Sequence, residues 1–351
     1  MKSILDWVPR PILKAVIWFY DQRWAHWLVS LTFGPLHNVM GAFYRLLAIF
    51  LPVGIWKDWQ HRPQPHFPVP PTDHDIPVLP SKSDFCGTYL VTMVATYLEA
   101  TTLAALLPND VELDPAHIHE GKHSVIYMFG YTENLRAVWD PLPGMNYVEF
   151  AVGIPNVRVK RNHGYDAPFF FLPQLRLDRL YPTILGWMLG YQKIWCWVNG
   201  QDRTYTIRTL LGRRLLEAKF TPMGTTSHTF VEPNYQHWKT LLNQPQVNPF
   251  GKADLLYLHY HWDWEHAIIQ PVSAEIEVHA DIPGLPAGSY QFPPIDQTHW
   301  IGEMAPTGAF RVCVPFELLA PFSRRLLTAF ELVQLHKANL QPPPSEPLHP
   351  Q

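Results

Sequence analysis

Gly186-Trp187-Met188-Leu189-Gly190-Tyr191-Gln192-Lys193-Ile194-Trp195-Cys196-Trp197-Val198 is the stretch where the chain changes texture. Leu180 to Leu189 has helical composition, and Lys193 to Val198 returns to strand. A lone amine, Lys193, stands at the junction between aromatic and aliphatic neighbours. Apolar surroundings disfavour the ammonium form, so a lysine there can present a free amine. A free amine can attack a ketone carbonyl and form a Schiff base. The ordinary alternative is a lysine whose carbon stem covers the rings while its charged head stays in water.

Outward from this junction the texture is short strands and turns. Tyr89–Val94, His123–Gly130, Tyr147–Val152, Val157–Lys160 and Phe169–Leu172 read as strands. Thr204–Thr209, Ala218–Thr221, Leu255–Glu265, Ala274–Val278 and Arg311–Pro315 follow. Leu98–Leu107 is rich in Ala and Leu and predicts a helix ended by Pro108, and Pro321–Leu340 predicts a closing helix. Strands outnumber helices, which gives an α+β class with a mainly antiparallel sheet.

The totals agree. A chain of 351 residues is long enough to bury a sizeable core. Its 36 prolines and 14 tryptophans point to a loop-rich, largely β body. Only 16% of residues are charged, against about 25% in typical domains, so much surface is expected to be covered, as in an oligomer. A net charge of -3 gives no basic face for a nucleic-acid partner. Cys86, Cys196 and Cys313 lie far apart with no CxxC pair, which argues against structural zinc and disulfides and for a reducing, cytoplasmic setting. Asp6, Pro9, Pro11 and Lys14 interrupt the apolar core that a secretion signal would need.

Four segments are expected: a helical arm over 1–60, a proline-rich linker over 61–83, the main body over 84–340, and a frayed tail over 341–351. In the arm, Ile12, Ala15, Val16, Phe19, Trp24, Trp27, Leu28 and Leu31 recur at helical spacing. Its longest apolar run, Leu46 to Trp56, has 11 residues, short of the 18 or so that a spanning helix needs. The arm packs on protein, its own or a partner subunit, or else lies in a bilayer interface. Pro63 to Pro80 holds seven prolines and is stiff and extended.

Several motifs, taken in order, resemble the acetoacetate decarboxylase-like family. Leu106-Leu107-Pro108-Asn109-Asp110-Val111-Glu112-Leu113-Asp114 resembles a turn near the start of those proteins. Tyr147-Val148-Glu149 resembles their Tyr-x-Glu strand, and Leu175-Arg176-Leu177-Asp178 a later segment. Gly186 to Lys193 looks like a shortened form of the segment that ends on their reactive lysine. The resemblance spans roughly residues 85 to 280 and leaves the arm unexplained.

This resemblance implies a barrel-like, mostly antiparallel β body around an apolar cavity, usually assembled as a homo-oligomer. It puts the Schiff-base lysine at Lys193 and the active-site glutamate at Glu149, with Tyr147, Trp187 and Tyr191 as cavity walls that bind substrate. The implied reaction is decarboxylation of a β-keto acid, or a related aldol or dehydration step. No cofactor is required, because the lysine imine is itself the electron sink.

The departures are specific. Gln192 replaces the family's proline and Ile194 its second lysine, so desolvation alone must activate Lys193. Trp187 falls near the family's arginine, and no Lys or Arg lies between Lys82 and Lys122. Arg136, Arg158 and Arg161 are the remaining candidates to hold a substrate carboxylate. These losses favour a second class of function: a non-catalytic protein binding an apolar, lipid-like ligand in the same cavity, with the arm at a membrane surface.

His259-Tyr260-His261-Trp262-Asp263-Trp264-Glu265-His266 is the other chemically loaded run. On a strand its imidazoles and carboxylates share one face and its aromatics the other. Ligands two residues apart are about 7 Å from each other, so an aromatic core face backed by a wet face explains the pattern without a metal. His117, His119 and His123 read as loop residues, and no metal is expected.

Overall fold

The computed structural model describes residues 85–137, 144–160, 168–188, 191–201, 203–224, 233–250, 254–298 and 304–319, with Pro11, Ile12 and Ala15. The expected arm over 1–60 (those three residues apart), linker over 61–83, closing helix over 321–340 and tail over 341–351 lie outside them.

The strands are β1 (Phe85–Glu99), β2 (Val111–Leu113), β3 (Lys122–Ala137), β4 (Met145–Val159), β5 (Phe169–Leu177), β6 (Lys193–Trp195) and β7 (Trp197–Gln201). They continue with β8 (Thr204–Arg208), β9 (Arg214–Pro222), β10 (Gln246–Phe250), β11 (Asp254–Trp262), β12 (Ile268–Val278), β13 (Gly288–Phe292) and β14 (Gly308–Leu319). Among the described residues from 85 onward, three α-helices join them: α1 (Ala100–Ala104), α2 (Leu180–Met188) and α3 (Pro233–Leu242). The sheet is mainly antiparallel. β1, β3, β4, β5, β10, β11 and β14 follow one another in hydrogen-bonded order, and β14 pairs back with β1, closing a barrel. Closure leaves no open edge on that ring.

β14 also pairs with β12 along its first half, and β12 leads through β9 and β8 to β7. These strands fold back as a second layer over the outside of β3 and β4. Buried residues therefore form two large cores. One fills the barrel with Val91, Met93, Leu177, Leu258, Phe310 and Val312. The other lies between layers, with Phe129, Val148, Phe150, Tyr205, Phe220 and Ile276. Strands covered on both faces lose polar alternation, which is why Tyr89 to Val94 is buried without a break.

α3 fills one end of the barrel. Its Tyr235, Trp238, Leu241 and Leu242 join the inner core, and Tyr235 meets Phe310 edge-on at 5.6 Å. Asn234 fixes the helix by donating to the carbonyls of Ile295 and Thr298.

The structure corrects several expected boundaries. The helix over Leu98–Leu107 shrinks to α1, because Leu98 and Glu99 remain in the ladder opposite His123 and Lys122. Tyr147–Val152 and Val157–Lys160 fuse into β4, kinked where Asn156 takes a positive φ of 53°. The Lys193–Val198 strand divides at Cys196: β6 stays beside β5, and β7 enters the outer layer. Leu255–Glu265 ends as a strand at Trp262, where Asp263 turns the chain by accepting from the His266 N–H. The shared face expected for His259, His261, Asp263 and Glu265 is therefore broken. α3, β10 and β13 were not expected from the sequence.

Candidate active site

Register builds the site. On β4, Tyr147, Glu149 and Ala151 point into the barrel at two-residue spacing. Across β3 they face Thr132, Gly130 and Met128, and across β1 those face Tyr89, Val91 and Met93. Gly130 has a specific reason to lack a side chain. A Cβ there would fall within 3.0 Å of three atoms of the Tyr89 phenol. The phenol occupies that space and so reaches Glu149, its hydroxyl donating to the carboxylate.

The lysine arrives from the opposite side through a crossover. β5 and β6 are parallel, with Leu175 beside Lys193. Parallel neighbours cannot be joined by a tight hairpin, and α2 supplies the longer connection. That accounts for the helix-to-strand change read in the sequence. The Leu175 N–H donates to the Gln192 carbonyl at 3.0 Å, and the Trp187 indole donates to the Lys193 carbonyl at 2.7 Å. On α2, a Cβ added at Gly186 would fall within 3.0 Å of Cγ, Cδ and Cε of Lys193. The lysine stem thus runs through space that only a glycine leaves open.

Both ionisable groups meet in one cavity of about 50 Å³. Lys193, Glu149, Tyr147 and Tyr191 line it, with Tyr89, Thr132, Gln246 and Tyr260. Met128, Leu172, Leu175, Trp262 and Phe316 supply apolar wall. Trp187, expected as a wall, is not among the lining residues; it holds the Lys193 backbone instead. The Lys193 amine lies 5.5 Å from the ring centre of Tyr147 and 5.3 Å from that of Tyr191. Tyr191 donates to Gln246 Oε1 at 2.6 Å.

Taken whole, Lys193 is half-buried, yet its amine is enclosed by protein atoms. Burial pushes its pKa down, and the Glu149 charge opposes that shift. Burial likewise pushes the Glu149 carboxyl up, against the Lys193 charge and hydrogen bonds from Tyr89 and Thr132. Ammonium with carboxylate, and amine with carboxylic acid, carry the same single proton between them. Two such groups titrate as a pair. Desolvation moves each group towards its neutral form, and their mutual attraction opposes that shift. In its neutral form the pair combines a nucleophile with a proton donor.

The expected carboxylate anchors are elsewhere. Arg158 pairs with Asp114 at 3.4 Å, Arg136 is not a cavity residue, and Arg161 lies outside the described residues. Among the described lining residues Lys193 is the one cation. Sequence reasoning missed Tyr89, Thr132, Gln246, Tyr260 and Trp262 as lining residues. Tyr260 and Trp262 carried a signal, the aromatic face of the histidine-rich run. Tyr89 carried none, because its partner gap at Gly130 is visible only in register.

Comparison with protein-family models finds no match, and neither does comparison with curated proteins. Solved structures do resemble the chain. The enduracididine biosynthesis enzyme MppR with HEPES buffer bound has a TM-score of 0.46 at 14% identity, over 68% of this chain and 86% of that one. An acetoacetate decarboxylase-like enzyme from Sphingomonas wittichii RW1 has a TM-score of 0.44 at 14% identity, over 74% and 97%. Acetoacetate decarboxylase itself has a TM-score of 0.38 at 13% identity, over 69% and 88%. Among the described residues, no helix is long and apolar enough to cross a membrane.

Proposed function

We propose that the chain is a Schiff-base-forming carbon–carbon lyase acting on a small keto compound, with Lys193 as nucleophile and Glu149 as proton donor and acceptor. What supports this reading is the enclosure of one amine and one carboxyl together in a tyrosine-lined apolar cavity, both shifted towards their neutral forms.

In the proposed sequence the Lys193 lone pair adds to the carbonyl carbon. The nitrogen passes one proton to the oxygen and Glu149 gives the second, so that the oxygen leaves as water and an iminium remains. With a β-keto acid the electron pair of the bond to the carboxylate carbon then moves into the iminium. Carbon dioxide departs and an enamine is left. Protonation at carbon and hydrolysis return the free amine. Tyr147 and Tyr191 would bound the substrate, and the Gln246 amide and Tyr260 hydroxyl offer neutral polar contacts to its oxygens. The iminium itself takes up the electrons, so the scheme calls for no cofactor.

Borohydride trapping tests the proposal. Incubation with a panel of small ketones and keto acids, then reduction, should leave a mass adduct on Lys193, and Lys193→Met should abolish it. An adduct that persists in that variant, or none across the panel, would overturn the lyase reading. The silent alternative, an apolar-ligand carrier, draws support from the largely aromatic and aliphatic wall. Native mass spectrometry separates the two, since a carrier would retain a co-purifying ligand released on denaturation without covalent attachment.

A further inference from the structure

The β8–β9 hairpin ends in Thr209-Leu210-Leu211-Gly212-Arg213, and its construction is tight. The Gly212 N–H donates to the Thr209 carbonyl at 2.8 Å, and the Thr209 N–H to the Arg213 carbonyl at 2.8 Å. The Arg213 N–H also reaches Thr209 Oγ1 at 3.1 Å. Gly212 supplies the positive φ of 86° that such a turn demands. From β7, the Trp197 indole donates to the Leu210 carbonyl at 3.0 Å and clamps the tip. Nothing in this geometry requires apolar residues at the two central positions, where turns ordinarily carry polar ones. Yet both are leucines, and they are held outward: Leu211 is 96% exposed and Leu210 39%.

The surroundings of the tip are basic in a chain whose net charge is -3. Arg208 and Arg214 stand directly opposite each other in the β8–β9 ladder, Arg213 adjoins them, and Trp197 faces Arg208 from β7. Like charges opposed across a ladder are destabilising on their own. Glu217 Oε1 lies 2.8 Å from Arg214 Nε. Exposed leucines at the apex, a tryptophan bonded to the tip backbone and arginines around the shoulders match the layers of a bilayer surface. Acyl chains take the leucines, the headgroup boundary takes the indole, and anionic phosphates take the guanidinium groups.

We propose that this hairpin tip docks the protein onto an anionic lipid surface, inserting Leu210 and Leu211 below the headgroups while Arg208, Arg213 and Arg214 contact phosphate. A second copy of the chain is the competing occupant and fits less well. Among the described residues, the other large exposed apolar side chains of the body, Ile184 and Met223, lie on α2 and beyond the far end of β9. They offer no paired apolar patch. The docking needs neither a spanning helix nor the chemistry proposed for Lys193.

The test uses the full-length chain with Leu211→Cys carrying an environment-sensitive dye. Cys86, Cys196 and Cys313 are buried, so the label goes to position 211. Phosphatidylcholine vesicles containing phosphatidylserine should shift the dye emission to the blue, and pure phosphatidylcholine vesicles or high salt should not. In flotation with the same vesicles, the double change Leu210→Ser and Leu211→Ser should weaken binding by at least about tenfold. Arg213→Ser and Arg214→Ser should each weaken it about fivefold. Three results would overturn the proposal: no flotation, flotation without a dye shift, or a shift that needs no lipid and tracks protein concentration in a sedimenting dimer.

Discussion

The two cores share β3 and β4 and differ by one residue of register. Glu149 faces inward, beside the amine and the tyrosines. Phe150 faces outward, where the Phe129 ring packs against Phe150, Tyr205 and Phe220 at centroid distances of 5.0, 5.2 and 5.1 Å. The outer core is apolar throughout, with this cluster of rings set among aliphatic side chains. The inner one stops short of filling and places two ionisable groups in the remaining space. A cavity with two desolvated groups is a poor place to find stability, so the layer behind it must hold the ladder in register. Tyr205 ties the two together by donating to the Glu149 carbonyl from the outer layer.

The largest effect expected from this division is on folding. Phe150 is 1% exposed, and Phe150→Ala should cost about 3–5 kcal/mol in denaturant titration. The inner double change Lys193→Met and Glu149→Gln should leave the protein as stable as before or more so near neutral pH. Burial raises the Glu149 pKa, so its ionisation works against the fold as pH climbs above the ordinary carboxylate value. Burial lowers the Lys193 pKa, so its protonation works against the fold as pH falls below the ordinary lysine value. Between those values both penalties act, offset by mutual attraction, and apolar or neutral replacements often equal or exceed such a pair. A loss in the double variant as large as in Phe150→Ala would erase the contrast between the cores.

Next in size is the effect of Glu149→Gln on the proposed reaction. Losing a proton donor of this kind should lower the rate of adduct formation about a hundredfold. The pH dependence carries a sign. The Glu149 charge holds the Lys193 pKa up, so its removal should let that pKa fall further. Amine acylation followed against pH should then begin at lower pH in the variant than in the native protein. Movement in the other direction would mean that the two side chains do not sense each other.

Gly186→Ala is expected to act more weakly, and against ordinary helix behaviour. In a helix interior the change from glycine to alanine usually gains up to about 1 kcal/mol. Here the new methyl group meets the Lys193 stem. The amine should be displaced and trapping reduced about tenfold, with no gain in thermal midpoint. A variant more stable than the native protein with trapping unchanged would show that the stem has another route.

Much of this arrangement could be read from the sequence because it rests on local patterns. Strand positions on β1, β3, β4, β5, β8 and β12 follow from runs of apolar and aromatic residues, and the junction at Lys193 from a change in composition. Closure could not be read there, since the pairing of β1 with β14 joins residues more than two hundred positions apart, such as Val91 with Val312. The break at Cys196 escaped for a related reason. Residues on both sides of it are strand-like, and only the existence of two layers separates them. α3 hid because its polar residues, Gln236, His237, Lys239 and Thr240, are as many as its core residues in a short window. Lys193 stands out by its apolar neighbours and Glu149 by resemblance alone, whereas the residues that position them, Gly130, Gly186 and Trp187, show their purpose only in three dimensions.

The finest test of the contrast is Tyr89→Phe, which removes one oxygen and keeps the ring that fills the space at Gly130. The outer core should not notice it, and stability should change by about 1 kcal/mol, the usual worth of one hydrogen bond. The inner site should respond in pH. The Tyr89 hydroxyl favours the Glu149 carboxylate, so without it the carboxyl keeps its proton to higher pH. The basic limb of the trapping profile, where the pair gives up its shared proton, should therefore move upward while the maximum rate changes only a few-fold. In Tyr89→Phe with Glu149→Gln the upward shift should vanish, since no carboxyl is left to report it. If the shift persisted there, the Tyr89 hydroxyl would be acting on Lys193 by another path, and the amine–carboxyl pair would not be the unit that titrates.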